Sequence, residues 1–378
     1  MKKLVLVGAG HAHALLLLST IKQPLVSAKV VVVSPISGAP YSGMIPGWLA
    51  GQYAFEDTLI DFEGLCQRAG AKWIPAELTS LDPDAKTMRL SDGQRLNYDW
   101  LSLNVGFTLY PPELPAAREA TQATGATESL KPQILAMRPL WTLKERYEEV
   151  LDVWRADSGN GPLTVTAVGA GAAGVESLLC ILSRLRELRS DRDVRGYLVN
   201  RTRKILPSFS AIARYQALRK LRAANVTLVL GTEWRDSIAT SSDLLIWATG
   251  AQAHPWQMDA TSRGSLGVTS DGYIEVDETL ISRTHSTIFA VGDCAQLPEP
   301  LPKAGVFAVR MANTLENNLR LVLAGEEPEK FKVNSTALAL LNTADGSAIA
   351  SRGLWGLQGR WVWRWKDAID RRFINRFR

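Results

Sequence analysis

The sequence has no apolar run of eighteen residues or more, so it offers no membrane-spanning helix. Met1-Lys2-Lys3 precedes an apolar run, but Gly8 and Gly10 interrupt that run, which argues against a signal peptide. Only three cysteines occur, Cys66, Cys180 and Cys294, far apart and in no C-x-x-C or C-x4-C pair. Their spacing excludes a local dithiol relay and fits a reducing compartment better than a disulfide framework. Histidine is scarce, with four residues. His11 and His13 lie two apart at a helix start, share no helix face and have no acid or cysteine beside them, so no metal site is expected. Charge of one sign is lacking over most of the chain. The formal net charge is +5, and residues 360–378, with seven basic and two acidic side chains, account for all of it. A chain otherwise neutral is not expected to bind nucleic acid.

What is present is a folded protein: 46% hydrophobic and 21% charged residues in 378, enough for two or three domains. Lys3–Val7 reads as a buried strand, His13–Ile21 as a helix and the β-branched run Lys29–Val33 as a second strand. Between the first strand and the helix stands Gly8-Ala9-Gly10-His11-Ala12-His13. Gly8 permits the tight turn, and Gly10 lets backbone approach a pyrophosphate. The helix start, with His11 and Ala12, presents free N–H groups to it. Two positions depart from the dinucleotide fingerprint. His13 replaces the third Gly or Ala, which implies looser packing of helix on strand. Ser34-Pro35 stands where a ribose-binding acid is expected.

The pattern repeats. Leu163–Val168 reads as a strand and Val168-Gly169-Ala170-Gly171-Ala172-Ala173-Gly174 is a complete fingerprint opening a long helix. Its second strand ends at Val199-Asn200-Arg201, so the NAD-type carboxylate is absent. Arg201, Arg203 and Lys204 follow and could accept a 2′-phosphate. NADH and NADPH both remain open. Glu176, two residues past Gly174, is either a first-turn acid or a ligand contact. With 161 residues between Gly8 and Gly169, the fold class expected is α/β, with two Rossmann-like domains. The expected divisions are 1–115 and 248–325 for one dinucleotide domain, 116–247 for a second inserted in it, and 326–378 for a C-terminal segment. Residues 111–137 carry Pro, Ala, Thr and Gly without clear period and read as a linker or long loop.

Ser242–Gly250, with Thr249-Gly250 at its end, and Thr287–Asp293, ending in Gly292-Asp293, resemble the crossing and second flavin motifs of FAD/NAD(P)-dependent pyridine nucleotide oxidoreductases. Gly174-Val175-Glu176 and Pro302–Ala308 are similar to segments of type II NADH dehydrogenases and sulfide:quinone reductases. Gly8–His13, Pro40–Gly47, Leu341–Gly346 and Gly359–Asp367 resemble a branch of that family often fused to selenide, water dikinase. This resemblance implies FAD as cofactor, NADH or NADPH as co-substrate and a quinone or similar acceptor. It puts Asp293 on the ribityl chain, Ser42, Gly43 and Met44 by the isoalloxazine, and Lys303 with Ala304 at the flavin pyrimidine end. Gly106 completes the cofactor contacts, and Glu176 would meet the nicotinamide or flavin. The alternatives are oxidation of sulfide or a selenium compound, which would need a reactive cysteine pair, and a non-catalytic flavin-binding partner.

The tail spaces Trp361, Trp365, Ala368, Ile369, Arg372 and Phe373 by three or four, with Arg364, Lys366 and Arg371 on other sides. An amphipathic helix of Trp and Arg suits a membrane surface met through residues 355–378, on the cytoplasmic face. Packing against the flavin domain or a second copy in a homodimer is the rival reading.

Overall fold

The computed structural model describes residues 1–112, 133–234, 242–334 and 336–378. Two five-stranded parallel sheets organise it. The first runs in the order Ile288–Ala290, Trp100–Leu103, Lys2–Val7, Ala28–Val33 and Lys72–Ile74. The second runs Gln133–Ala136, Leu244–Trp247, Leu163–Val168, Val194–Asn200 and Val226–Leu230. Helices cover both sheets, so the central strands are buried on both faces, and Leu4, Val5, Leu6, Val165 and Ala167 have no exposed surface. This is why they read as continuous apolar runs and not as alternation.

The first sheet takes strands from both ends of the chain, and the second takes those in between. Where the chain passes from one to the other and back, Thr108–Leu109 pairs antiparallel with Ala251–Gln252. The fold is therefore α/β with two dinucleotide-type units, as the duplicated fingerprint implies.

One local reading needs correction. Most of the expected 111–137 linker, residues 113–132, lies outside the described residues, but Gln133–Ala136 is a strand paired with Leu244–Trp247. Four residues with three apolar ones carry too little pattern to announce an edge strand; its partner supplies the reason for it. The stretch Arg95–Leu103 divides between two sheets. Arg95–Asn97 joins an antiparallel meander with Leu78–Asp82 and Thr87–Leu90, while Trp100–Leu103 enters the parallel sheet.

The C-terminal segment is an antiparallel sheet of Ala339–Asn342, Ala348–Arg352 and Trp355–Gly359, followed by the tail helix Arg360–Ile374. The sheet packs on the second-fingerprint helix Ala172–Leu188, and the tail helix returns to the first unit at Tyr41–Gly43.

Candidate dinucleotide sites

Gly8 turns the chain at φ +98°, where only glycine is comfortable. A Cβ on Gly8 would stand 2.4 Å from the carbonyl oxygen of Asn104, and one on Gly10 would stand 2.0 Å from Asn104 Oδ1. Asn104, which follows the strand Trp100–Leu103, is the reason both positions must be glycine. Its Oδ1 accepts from the Ala12 amide at 3.2 Å, and its Nδ2 donates to the Val291 carbonyl at 2.8 Å. One buried side chain thus ties the first fingerprint turn to the Gly292-Asp293 turn. The sequence reading missed it, because its partners lie 92 and 187 residues away.

The looser packing expected at His13 takes a specific form. The imidazole is fully buried and spans the gap. Nδ1–H donates to the Gly8 carbonyl at 2.8 Å, and Nε2 accepts from the Ser102 hydroxyl at 2.8 Å. Burial holds its pKa down to about 4, so the ring is neutral and this tautomer is consistent with both partners.

These turns border a cavity of about 450 Å³. Gly8, Ala9, Gly10, His11, Ser34, Pro35, Ser42, Gly106 and Asp293 all line it. Gly305, which opens the twenty-residue helix Gly305–Ala324, lines it too. Neither that helix nor His11–Lys22 is capped by the side chain of its own N-cap residue, and in His11–Lys22 the Ala12 amide is taken by Asn104. Two helix starts therefore direct free N–H groups and partial positive charge at one space, which suits a ligand with anionic groups. Ala12, Gly43, Met44, Gly292 and Ala304 stand behind this lining. The Ser34 hydroxyl is committed to the Ile36 carbonyl at 3.3 Å.

Arg138 reaches the cavity from just beyond the unexpected strand. Its guanidinium lies 5.1 Å from the Phe107 ring centre. Burial raises the Asp293 pKa, while the positive charges of Arg138 and Lys303 and the Ala304 amide pull it back. His11 is held down to about 4, first by burial and then by Arg138. Lys303 itself does not line the cavity. Its Nζ donates to the Ala295 carbonyl at 2.8 Å and stands 3.8 Å over Tyr273, beside a side recess that it shares with Gly292 and Asp293.

The second turn repeats the geometry on the other sheet. Gly169 has φ +104°, and a Cβ on Gly174 would stand 1.8 Å from the Gly169 carbonyl oxygen. Here the third glycine is obligatory, in contrast to His13. Gly171 caps the helix without a side-chain bond. Thr249 presses against Gly169, and Gly250 takes φ +70°. Asn200 Oδ1 accepts from the Ala170 amide at 3.1 Å, and Nδ2 donates to Thr202 Oγ1 at 2.8 Å. Arg201 is exposed beside it.

Glu176 stands apart from both turns and does not line the cavity. It is buried under the C-terminal sheet, where Oε1 accepts from the Asn342 amide at 2.6 Å. Burial pushes its pKa up to about 7, against the pull of Lys366. Lys366 in turn donates to Asp370 at 2.7 Å and to the Gly43 carbonyl at 2.6 Å. Asp370 bonds to Tyr41, whose ring stacks on Phe373 at 4.5 Å. A buried charged chain therefore runs from Glu176 to the Tyr41–Gly43 loop at the cavity edge. The tail helix turns its Lys366–Asp370 pair inward and its Trp361, Trp365 and Ile369 outward. Phe373 is the exception in the expected stripe, half-buried against Tyr41 and His11.

All three cysteines are buried and unpaired. Burial pushes the Cys66 thiol up to about 12, and raises those of Cys180 and Cys294. None is suited to form a thiolate.

Among known proteins, the family model described as pyridine nucleotide-disulphide oxidoreductase matches residues 2–312. A type II NADH:quinone oxidoreductase of Staphylococcus aureus is 24% identical, over 91% of this chain and 89% of that protein. The structure of NDH2 from Plasmodium falciparum in complex with NADH superposes with a TM-score of 0.77 at 13% identity, covering 100% of this chain and 97% of that one. The sulfide:quinone oxidoreductase of Aquifex aeolicus gives 0.74 at 14% identity, covering 100% and 92%.

Proposed function

The chain belongs to the pyridine nucleotide-disulphide oxidoreductase family, and from that premise we propose that it is an FAD-dependent enzyme that carries electrons from NADH or NADPH to a quinone-class acceptor. The observation that carries this reading is one cavity bordered by two helix starts and Asp293, with a second complete glycine turn on a separate sheet.

FAD held there would supply two-electron chemistry between the nicotinamide and the acceptor. The chain's own residues bind and orient it. The amides after Gly10 would meet the pyrophosphate, Asp293 the ribityl hydroxyls, and the start of Gly305–Ala324 the end of the ring system that gains negative charge on reduction. Arg138 keeps positive charge near that carboxylate and near a neutral His11. Gly169–Gly174 would hold the nicotinamide dinucleotide, with Asn200 and Arg201 at its ribose end. The balance is one hydride from the nicotinamide and one proton from solvent for each quinone reduced to quinol. Glu176 does not touch the cavity, so its proposed part is to keep a proton within the chain of charges that anchors the tail.

The tail belongs to the same reading. No helix among the described residues is long and apolar enough to cross a membrane. Yet Trp361 and Trp365 stack on the outer face of the tail helix, with Leu354 and Leu357 exposed on the preceding hairpin and arginines alongside. That composition suits the headgroup layer of an anionic leaflet, from which an acceptor soluble in lipid would be drawn. We assign the peripheral attachment to residues 355–378, on the cytoplasmic face. The sulfide reading is disfavoured by three buried thiols with raised pKa values.

The test is anaerobic mixing of the flavin-loaded protein with NADH and with NADPH. Bleaching of the oxidised-flavin absorbance, and its return on adding a quinone, is expected. Protein that holds flavin but bleaches with neither nucleotide would overturn the proposal.

A further inference from the structure

NADH and NADPH differ only at the adenosine ribose, which carries a hydroxyl in one and a dianionic phosphate in the other. We infer that this protein selects NADPH, through Arg201 with Arg203 and Lys204 at the carboxyl end of the strand Val194–Asn200. The preference presupposes the nicotinamide site proposed at Gly169–Gly174.

In a βαβ dinucleotide unit this ribose lies at the end of the second strand. A carboxylate there would accept hydrogen bonds from the ribose hydroxyls and repel a phosphate. Asn200 occupies the position. Its carboxamide is already committed, with Oδ1 accepting from Ala170 and Nδ2 donating to the Thr202 carbonyl and hydroxyl. Turning it to a ribose would release the glycine turn. Residues 200–210 contain no Asp or Glu at all.

The cations tell the same story from the other side. At the other end of the same strand arginines are paired: Arg189 with Asp157 and Asp191, Arg192 with Asp157, and Arg195 with Asp193. Those pairs lie about the amino end of the strand. At its carboxyl end Arg201, Arg203 and Lys204 are exposed, and none forms an ion pair among the described residues. Glu233, the acid beyond the next strand, pairs with none of them. The stem of Arg203 packs against Gly231, with Cγ 3.1 Å from where a Cβ would stand. Three cations within four residues repel one another, and a phosphate dianion brought among them relieves that repulsion. Arginine also offers the forked donors that a phosphate accepts.

The test is calorimetric titration of the flavin-loaded protein with NADP+ and NAD+, which bind without reducing it, alongside the flavin-reduction rates with NADPH and NADH. NADP+ is expected to bind at least about 10-fold more tightly, as one or two charge-assisted hydrogen bonds imply. Arg201→Ala should weaken NADP+ by about 10- to 100-fold and leave NAD+ within about threefold. Asn200→Asp keeps an acceptor for the Ala170 amide while adding the missing carboxylate, so it should weaken NADP+ and tighten NAD+. This second variant serves if the first does not fold. Equal affinities in the native protein, or tighter NAD+, with flavin reduced by both, would overturn the preference and leave the proposed function standing. Binding of neither, with no reduction, would overturn both.

Discussion

Replacing His13 by alanine restores what a dinucleotide fingerprint ordinarily carries at that position, and from the motif alone the change should be harmless or beneficial. The structure says otherwise. The imidazole is buried and joins the Gly8 carbonyl to the Ser102 hydroxyl, each at 2.8 Å. Alanine removes two hydrogen bonds, each worth about 1 kcal/mol, strands two buried polar groups and leaves a cavity, for a loss of about 3 to 4 kcal/mol at neutral pH. The loss should depend on pH in a defined direction. Burial holds the His13 pKa at about 4, against an ordinary 6.5. Between those values the unfolded chain takes a proton that the folded one refuses. His13 therefore stabilises the fold fully above pH 6.5, and that contribution fades by about 3 kcal/mol as pH falls toward 4. The alanine penalty should shrink accordingly, to about 1 kcal/mol or less near pH 4. Urea unfolding of the flavin-loaded protein across this range measures it. His11 shifts in the same direction but is present in both proteins, so the difference between them isolates His13. An alanine variant as stable as the native protein at neutral pH, or a penalty independent of pH, would refute the bridging role.

Gly174→Ala places a Cβ 1.8 Å from the Gly169 oxygen; it should cost about 1 to 3 kcal/mol by overpacking and raise the KM for nicotinamide nucleotide at least about 10-fold, while flavin content stays unchanged. An unaltered KM would sink the assignment of that turn. Glu176 has its pKa raised from 4.5 to about 7, so the folded state holds a proton that the unfolded state gives up, and stability should fall by up to about 3 kcal/mol as pH rises through that window. Glu176→Gln should flatten this slope in thermal unfolding, and a slope that persists unchanged would show that another group carries it. Serine at Trp361, Trp365 and Ile369 together removes the outward apolar face without touching the inward Lys366–Asp370 pair. Flotation with anionic vesicles should fall at least about 10-fold, with flavin reduction in solution unaffected. Undiminished flotation would remove the membrane assignment, and a dimer that dissociates on the same change would replace it.

Much of the architecture was legible because its signals are local. A turn with a glycine at positive φ, a β-branched strand beside it and a helix after it all lie within some thirty residues, so Gly8–Val33 and Leu163–Asn200 could be read directly. The sites were less legible. Asn104 and Arg138 border the cavity, and Asn104 ties its two turns together, but neither belongs to a motif, and Arg138 stands just past the stretch that read as linker. Glu176 read as a first-turn acid or a ligand contact by its nearness to Gly174, yet a strand more than 160 residues later closes over it.

The tail marks the division most clearly. Its three-to-four spacing determined that Trp361, Trp365 and Ile369 share one face of a helix, since that follows from backbone geometry alone. Which face would be buried was not in the spacing. Hydrophobicity favours the tryptophans inside, but Lys366 finds Asp370, the Gly43 carbonyl and the field of Glu176 in one pocket of the fold, and satisfied charges can be buried where unsatisfied ones cannot. Asp370 is one turn away on the same helix, but Gly43 and Glu176 come from distant parts of the chain, and only the tertiary structure brings them to Lys366.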